Sequence, residues 1–368
     1  MKIYYVANVS LNSGKANVIQ LIEMSKALIE KGVSLELVVP SKSANNKSVK
    51  EIFNFNLKTT RVPEFSFWHK TRLGFNLGAL SFMISSFIFL FIKKIRGEKF
   101  KIYTIDLDQF SYAFLPLIAP TYAEFHGSKR KTFFTNFFFS RVGAVFAVSE
   151  NVRLSLLKSF NFKEPSIALP NGINLKVFGE DLKNSENFGP KIDRPFFLYS
   201  GRAYNWKGLE TIVEALREGG EIRSVFVGDT KDDLEKVLKK DVPENFFCLG
   251  RKPYSEIPRW LSWADFFLVC GTAKDRYSFF ETSPMKLFEY LAYGKPIIAV
   301  DSPAIREIVN QDEVVFYKAD DPKDLLRAMR FVISNEAELK ERSLKLKEKA
   351  KIYAWDKRAD KVLSYIHE

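Results

Sequence analysis

Short apolar runs and longer amphipathic stretches alternate along the chain. An apolar run at residues 3–7 is followed by the loop SLNSGKAN, by an amphipathic stretch at residues 18–30 and by the apolar run SLELVVP. Runs of this length predict buried strands, and an amphipathic stretch between two of them predicts a crossover helix. The pattern therefore predicts a β-loop-α-β unit in a parallel sheet, with a ligand crevice where the strands end.

The same alternation restarts in the second half of the chain. Residues 179–194 are polar, contain Gly189 and Pro190, and are typical of an interdomain linker. The next stretch, FFLYSGRAYNWKGLETIVEAL, predicts a strand, a loop and an amphipathic helix, and SVFVGD, NFFCLG and ADFFLVC predict further strands. With 368 residues, 46% of them hydrophobic, the chain is long enough for two α/β domains with separate cores.

Residues 73–92 contain no charged side chain, and basic residues flank them on both sides. A helix of this length spans about 30 Å, the thickness of the hydrocarbon core of a bilayer. A spanning helix is disfavoured because it would separate the strand KIYTID from the strands before it and break the sheet. A helix packed on the sheet and a helix partly sunk into a membrane surface both remain open.

Residues 128–141, SKRKTFFTNFFFSR, interleave Lys and Arg with five phenylalanines. Contacts of the basic side chains with lipid headgroups, at about 1 kcal/mol each, and insertion of the aromatic rings would attach this segment to a membrane. A core helix with a solvated basic end explains the same pattern. Two interpretations of the sequence therefore stand side by side. In one, residues 73–96 and 128–141 make peripheral contact with an anionic membrane; in the other, they form helices of the core.

The formal net charge of +12 and the pI of about 9.4 indicate an anionic partner, which is nucleic acid, a phosphorylated ligand or acidic lipid. No nucleic-acid-binding motif is recognisable, so we expect no nucleic-acid partner. Cys248 and Cys270 lie in apolar runs, which is typical of a reducing compartment, and the amino terminus reads as a strand without a signal-peptide core. These features predict a cytoplasmic protein, with membrane association on the cytoplasmic face left open.

The stretch FETSPMKLFEYLAYGKPIIAV, residues 280–300, contains a helix whose two ends are both marked. Ser283 suits the N-cap and Pro284 the first helical position, while Gly294 and Pro296 end the helix. The first turn leaves N–H groups unpaired, so it can hold a phosphate. Two glutamates, Glu281 before the helix and Glu289 about two turns into it, would meet different parts of one ligand.

Two loops that follow predicted strands are candidates for phosphate binding. Arg202 and Lys207 follow FFLYS, where two cations would neutralise a diphosphate, although a solvated basic loop has the same composition. Gly14 lies in the first loop, where it would let the backbone approach a phosphate or would merely permit a turn.

Further polar side chains follow two predicted strands in the first half of the chain. Asp106 and Asp108 resemble a metal-binding pair, but two carboxylates after a strand commonly cap a helix, and we expect no metal. His126 comes directly after TYAEF, and a lone histidine in this place is usually structural. His69, His126 and His367 are too scattered to form a metal cluster.

Several motifs in the same order resemble those of retaining GT-B glycosyltransferases, especially glycosyltransferase family 4. The string SPMKLFEYLAYGKP, with Glu281 and Glu289 in an E-x7-E arrangement, is the most specific of them. FHGS at residues 125–128, LPNGIN at residues 169–174, and GR and KG around Arg202 and Lys207 also match. After the first glutamate, this chain has Thr-Ser-Pro where many relatives have an aromatic residue or Ser followed by Gly.

The resemblance implies two Rossmann-like, doubly wound domains that face a cleft. Residues 1–185 would form the acceptor-side domain, residues 186–350 the nucleotide-sugar domain, and residues 351–368 a terminal helix that crosses back to the first domain.

The resemblance also implies roles for the site residues. Glu289 would bind the ribose and Glu281 the transferred sugar, while His126 would face the cleft beside that sugar. The donor phosphates would lie near Gly14, and the base near Arg251 and Lys252. The leaving diphosphate would be stabilised by Arg202 and Lys207, together with the start of the helix at Ser283, Pro284 and Met285.

The implied function is retaining hexosyl transfer from a nucleotide sugar to a glycan or lipid-linked acceptor, in the synthesis of envelope polysaccharide or lipopolysaccharide, without a metal cofactor. Two alternatives share the fold. A GT-B-like sugar-nucleotide epimerase would convert the donor without an acceptor, and a non-catalytic protein would only bind the sugar nucleotide.

Overall fold

The computed structural model describes residues 1–11, 15–41, 49–50, 54–64, 71–106, 108, 110–162, 164–179 and 188–366, without the side chain of Arg72. The chain forms two compact units. The first unit comprises Met1–Pro170 and Trp355–Glu368, and the second comprises Asn171–Ala354. The first unit therefore ends earlier than the domain boundary predicted at residue 185, and the predicted boundaries stay predictions.

The described part of the first unit contains one parallel seven-stranded sheet in the order β3-β2-β1-β4-β5-β6-β7. The strand order reverses next to β1, which defines a doubly wound sheet. The strands are β1 Lys2–Val6, β2 Ser34–Pro40, β3 Thr59–Val62, β4 Lys101–Ile105, β5 Thr121–Phe125, β6 Ala144–Ala147 and β7 Ser166–Ala168. The helices are α1 Ala16–Glu30, α2 Arg72–Ile95, α3 Phe133–Phe139, α4 Glu150–Ser159 and the terminal helix Trp355–Leu363.

The terminal helix belongs to the first unit because it packs on α1 and carries a buried arginine. Arg358 Nη1 lies 2.9 Å from Glu124 Oε2 in β5, and both side chains are almost fully buried. The guanidinium also donates to the carbonyl oxygens of Leu169 and Pro170. Since a buried carboxylate without its partner is costly, this ion pair holds the end of the chain on the first sheet.

The described part of the second unit contains a parallel six-stranded sheet in the order β10-β9-β8-β11-β12-β13. The two α/β alternations predicted from the sequence are therefore confirmed as two doubly wound sheets. The strands are β8 Phe196–Ser200, β9 Arg223–Val227, β10 Phe246–Cys248, β11 Phe266–Val269, β12 Ile297–Asp301 and β13 Val315–Lys318. The helices are α5 Leu209–Glu218, α6 Lys231–Leu238, α7 Ile257–Trp263, α8 Met285–Tyr293, α9 Pro303–Arg306, α10 Pro322–Ser334, α11 Glu336–Ser343 and α12 Lys345–Ile352, with a π-helix at Tyr277–Glu281.

Candidate active site

The strand order of the second sheet reverses between β8 and β11, and the loops after these two strands diverge there. In doubly wound sheets, ligands bind in the crevice at such a reversal, outside the carboxyl ends of the strands. The loop after β8 carries Arg202 and Lys207, and the chain after β11 leads through the π-helix to the start of α8. The topology thus brings together the cations and the helix that the sequence marked as candidates.

A close approach of backbone to side chain shapes the loop after β8. Gly201 has φ of +138°, and a Cβ atom there would lie 2.9 Å from Lys286 Nζ. Asp229, just beyond β9, accepts a hydrogen bond of 2.8 Å from the Ala203 N–H and one of 2.6 Å from Arg251 Nε. Arg251 therefore orders the Arg202 loop through Asp229.

Two half-buried lysines line one recess at this point, together with Trp206, Thr282 and Pro284. Lys207 Nζ lies 3.9 Å from the centroid of the Trp206 ring, and Lys286 Nζ lies 3.5 Å from the centroid of the Tyr199 ring. Burial lowers the pKa of Lys207 to about 8. Burial, and then the charge of Lys207, lower the pKa of Lys286 well below its usual value.

Within the described residues, the two lysines of this recess form no ion pair, although the charge of Glu289 acts on Lys286 from further away. In the described part of the chain, no carboxylate oxygen lies within 4.0 Å of the Nζ atom of Lys207 or of Lys286. The Arg202 Nε atom is buried and has no hydrogen-bond partner in the same part of the chain. Because buried cations and donors are costly without partners, Arg202, Lys207 and Lys286 favour an anion beside them.

The start of α8 differs from the prediction by one residue. Pro284 occupies the N-cap without a side-chain hydrogen bond, and the helix begins at Met285 rather than at Pro284. Ser283 does not cap the helix, because its Oγ accepts the Asn171 N–H at 3.0 Å and its carbonyl oxygen accepts Asn171 Nδ2 at 2.7 Å. Pro284 has no N–H, so the helix offers an external anion the N–H groups of Met285 and Lys286.

The two glutamates flank the start of α8 and are both buried. Glu281 ends the π-helix and accepts a hydrogen bond of 3.0 Å from Arg276 Nε. Glu289 lies within α8 and accepts a hydrogen bond of 3.2 Å from the Tyr254 hydroxyl. Burial raises the pKa of Glu289 to about 7. π-Helices of one turn are rare and are often found at functional sites. No pattern in the sequence predicted this one.

The remaining predicted residues lie elsewhere or have other partners. Lys252 Nζ lies 5.1 Å from the centroid of the Trp260 ring. His126 belongs to the first unit, where its Nε2 lies 2.8 Å from Glu124 Oε1. Gly14 lies outside the described residues.

The aspartates after β4 have structural partners. Asp108 Oδ1 accepts the N–H groups of Phe110 and Ser111, so this carboxylate caps a turn. Asp106 pairs with Lys129. Among the described residues, no group of three His, Cys, Asp or Glu side chains could hold a metal ion.

Sequence reasoning missed Lys286, Asp229, Tyr254 and Arg276, which contact the predicted residues or line the same recess. Lys286 stands two residues after Pro284, so its position in the first turn of the predicted helix was a usable signal. Asp229 follows a predicted strand directly and offered a similar signal.

A doubly wound sheet with a cationic recess and a helix start at its strand reversal is typical of α/β units that bind phosphorylated ligands. Residues 181–353 match the family model described as glycosyl transferases group 1. This match covers most of the second unit.

Curated relatives match parts of the chain. The uncharacterized glycosyltransferase MJ1178 of Methanocaldococcus jannaschii is 24% identical over 200 residues, which cover 54% of this chain and 52% of the relative. The alpha-monoglucosyldiacylglycerol synthase of Streptococcus pneumoniae is 25% identical over 47% of this chain and 41% of the relative. The amylovoran biosynthesis glycosyltransferase AmsK of Erwinia amylovora is 33% identical over 29% and 28%. The chain thus matches about half or less of the length of these relatives.

Solved structures match the whole chain. The sucrose-phosphate synthase of Thermosynechococcus elongatus has a TM-score of 0.78 at 14% identity, over 100% of this chain and 98% of that one. The Anabaena protein Alr3699/HepE in complex with UDP has a TM-score of 0.74 at 13% identity, over 100% and 99%. These similarities show the GT-B fold, as the sequence motifs predicted.

Proposed function

We propose that this protein is a retaining hexosyltransferase of glycosyltransferase family 4. It would move a sugar from a nucleotide diphosphate donor to a glycan or lipid-linked acceptor. Its place would be the cytoplasmic face of the cell envelope, in the synthesis of polysaccharide or lipopolysaccharide.

The observation that carries the proposal is the pair of lysines, Lys207 and Lys286, that line one recess at the strand reversal of the second sheet without an ion pair among the described residues. The buried Arg202 Nε atom in the loop after β8 has no hydrogen-bond partner there either. A diphosphate supplies several negative oxygens, which is what two half-buried ammonium groups and an unpartnered guanidinium nitrogen require. Binding of such an anion would remove the mutual repulsion of the lysines, which contributes to the low pKa of Lys286.

The proposed reaction breaks the bond between the anomeric carbon and the diphosphate oxygen and forms a bond to the acceptor oxygen on the same face of the sugar. The hydroxyl proton of the acceptor passes to the departing phosphate oxygen. Lys207, Lys286 and Arg202 would stabilise the charge that develops on the diphosphate. Because these residues already supply that positive charge, we propose that the reaction needs no metal.

The buried glutamates would position the two ends of the donor. Glu289, in its ionised form, would accept hydrogen bonds from the ribose hydroxyls, and Glu281 would bind the transferred sugar. The ion pair with Arg276 orients the Glu281 carboxylate for this role.

Relatives support the substrate classes. HepE has been crystallised with UDP and with UDP-glucose, and the names of the Streptococcus and Erwinia relatives denote a glucosyldiacylglycerol synthase and an enzyme of amylovoran biosynthesis. These names favour a sugar nucleotide as donor and a lipid or polysaccharide as acceptor.

The test begins with thermal unfolding in the presence of UDP-, GDP- and ADP-sugars, because a bound donor stabilises the folded state. Proton NMR of a reaction with the selected donor then reports the anomeric configuration of the product. We expect a retained configuration and no reaction of the donor without an acceptor other than slow hydrolysis. An inverted product would refute retention, rapid epimerisation of the donor alone would identify an epimerase, and no stabilisation by any nucleotide would refute the proposed site.

A further inference from the structure

Helix α2 presents an apolar stripe to the outside of the first unit. Six large apolar side chains recur at intervals of three, four or seven residues and are each between 48% and 69% exposed, namely Leu73, Leu77, Ile84, Ile88, Phe91 and Ile95. This spacing places them on one side of the helix over about 33 Å. Three residues on the other side of the helix, Ala79, Phe82 and Leu90, are buried.

The helix is long and apolar enough to cross a membrane, but only 33% of its most apolar window is buried. Crossing is incompatible with the sheet, because β3 precedes α2, β4 follows it, and both lie in the same parallel sheet. The stripe is therefore the outer face of a helix that packs on the sheet through its other face.

The stripe shares its side of the sheet with α3. Right-handed connections place the segments between β3 and β6 on the face opposite to α1, because they progress along the sheet in the opposite direction. The segment between β4 and β5 links the two helices. Its Ser111 hydroxyl donates to the Ala79 carbonyl in α2, and its Phe114 ring packs on Phe134 in α3.

Further apolar groups extend this face beyond α2. Leu117, in the linking segment, is 58% exposed, and Phe133, at the start of α3, is 71% exposed. Together with the stripe on α2 they form what we call the apolar face, which consists of the six stripe residues, Leu117 and Phe133.

The unpaired charges around the apolar face are basic, since Glu98 beyond α2 pairs with Lys2 and Lys93, and Asp106 pairs with Lys129. Residues 73–95 contain no acidic side chain. Lys94 and Arg96, at the end of α2, and Arg130 and Lys131, just before α3, are exposed and form no ion pair within the described part of the chain. Apolar side chains bordered by basic ones complement the hydrocarbon and the headgroups of an anionic lipid surface.

We propose that the first unit docks on an anionic membrane through the apolar face, with α2 lying in the plane of the interface. The stripe and Phe133 enter the upper acyl region, and the four unpaired basic residues contact lipid phosphates. This inference does not depend on the transferase activity, because it concerns only the first unit. It deepens the proposed cytoplasmic-face location by naming the surface and its orientation.

Sedimentation of the full-length protein with sucrose-loaded vesicles tests the proposal. We compare pure phosphatidylcholine with a mixture that contains about a third phosphatidylglycerol. We expect binding to the anionic vesicles that weakens with salt, and at least tenfold weaker binding for the double variant Ile88→Ser/Phe91→Ser. The double variant Lys94→Ala/Arg96→Ala should lose the preference for anionic lipid. The matched control is Ile352→Ser, because Ile352 is 70% exposed in α12 of the second unit and should not matter.

Two results would overturn the proposal. One is wild-type protein that does not sediment with anionic vesicles. The other is a wild-type protein that forms a stable dimer in light scattering, together with an Ile88→Ser/Phe91→Ser variant that is a monomer and binds vesicles as the wild type does. This result would assign the apolar face to a second copy of the chain. Donor-induced thermal stabilisation, measured on the same variants, reports folding and keeps this outcome separate from the test of the proposed function.

Discussion

Replacing Lys207 by Met should separate catalysis from stability. Methionine keeps an apolar stem against the Trp206 ring and removes the charge. The charged Lys207 is disfavoured in the folded state, because burial lowers its pKa from 10.5 to about 8. This difference corresponds to about 3 kcal/mol of destabilisation at pH 7. The penalty is complete below pH 8, fades as the pH rises through the folded pKa, and vanishes above the unfolded pKa.

Lys207→Met should therefore leave the free energy of unfolding at pH 7 unchanged or raise it by up to about 3 kcal/mol. Turnover should fall, because one cation that stabilises the leaving diphosphate is lost. Removal of one such group commonly costs about 2–4 kcal/mol of transition-state stabilisation, which is about 30-fold to 1000-fold in rate.

The assay is kcat/KM with the donor selected by thermal shift, together with urea unfolding at pH 7 and pH 10. Lys236→Met, on the exposed side of α6, is the control and should change neither quantity. A folded Lys207→Met protein with activity within threefold of wild type would refute the role of Lys207. A large loss of stability would refute the conclusion that its charge is unfavourably buried.

Three other buried or half-buried charged groups, Lys286 and Glu289 in the second unit and Arg358 in the first, can be tested in the same way. In calorimetry, the Lys286→Met protein should bind nucleoside diphosphate about 10-fold to 100-fold more weakly, because a hydrogen bond to a charged group contributes about 1.5–3 kcal/mol. An unchanged Kd would contradict the place of Lys286 in the anion site. Glu289→Gln should raise the thermal stability at pH 8 more than at pH 5. Burial raises the pKa of Glu289 to about 7, so the cost of ionising this buried carboxyl grows as the pH rises above the pKa of the unfolded state. Equal effects at both pH values would speak against a raised pKa of Glu289. Arg358→Met should lower the unfolding free energy by about 3–5 kcal/mol, because the buried Glu124 loses its arginine and keeps only its hydrogen bonds with Gln20, Tyr103 and His126. Glu124→Leu/Arg358→Met should recover part of this loss in the same urea titration, so a double variant as unstable as the single one would argue against the ion pair as the cause.

The alternation of buried strands and amphipathic helices was readable from the sequence, because it is a local periodicity of side chains. The helix after Pro284 and the placement of Glu281 before it and Glu289 within it were readable for the same reason. The motif order further predicted the GT-B fold. These features depend on residues that are close together in the chain.

Only the tertiary structure decided which distant groups meet. Lys286 lines a recess with Lys207. The Asn171 N–H donates to the Ser283 hydroxyl, which the local sequence predicted as a helix cap. The sheet determines which side of α2 is buried and leaves its apolar stripe outside, although the composition of the helix is apolar on all sides. Local periodicity cannot predict such contacts, because each depends on how two independently formed elements are brought together by the strand order of the sheet.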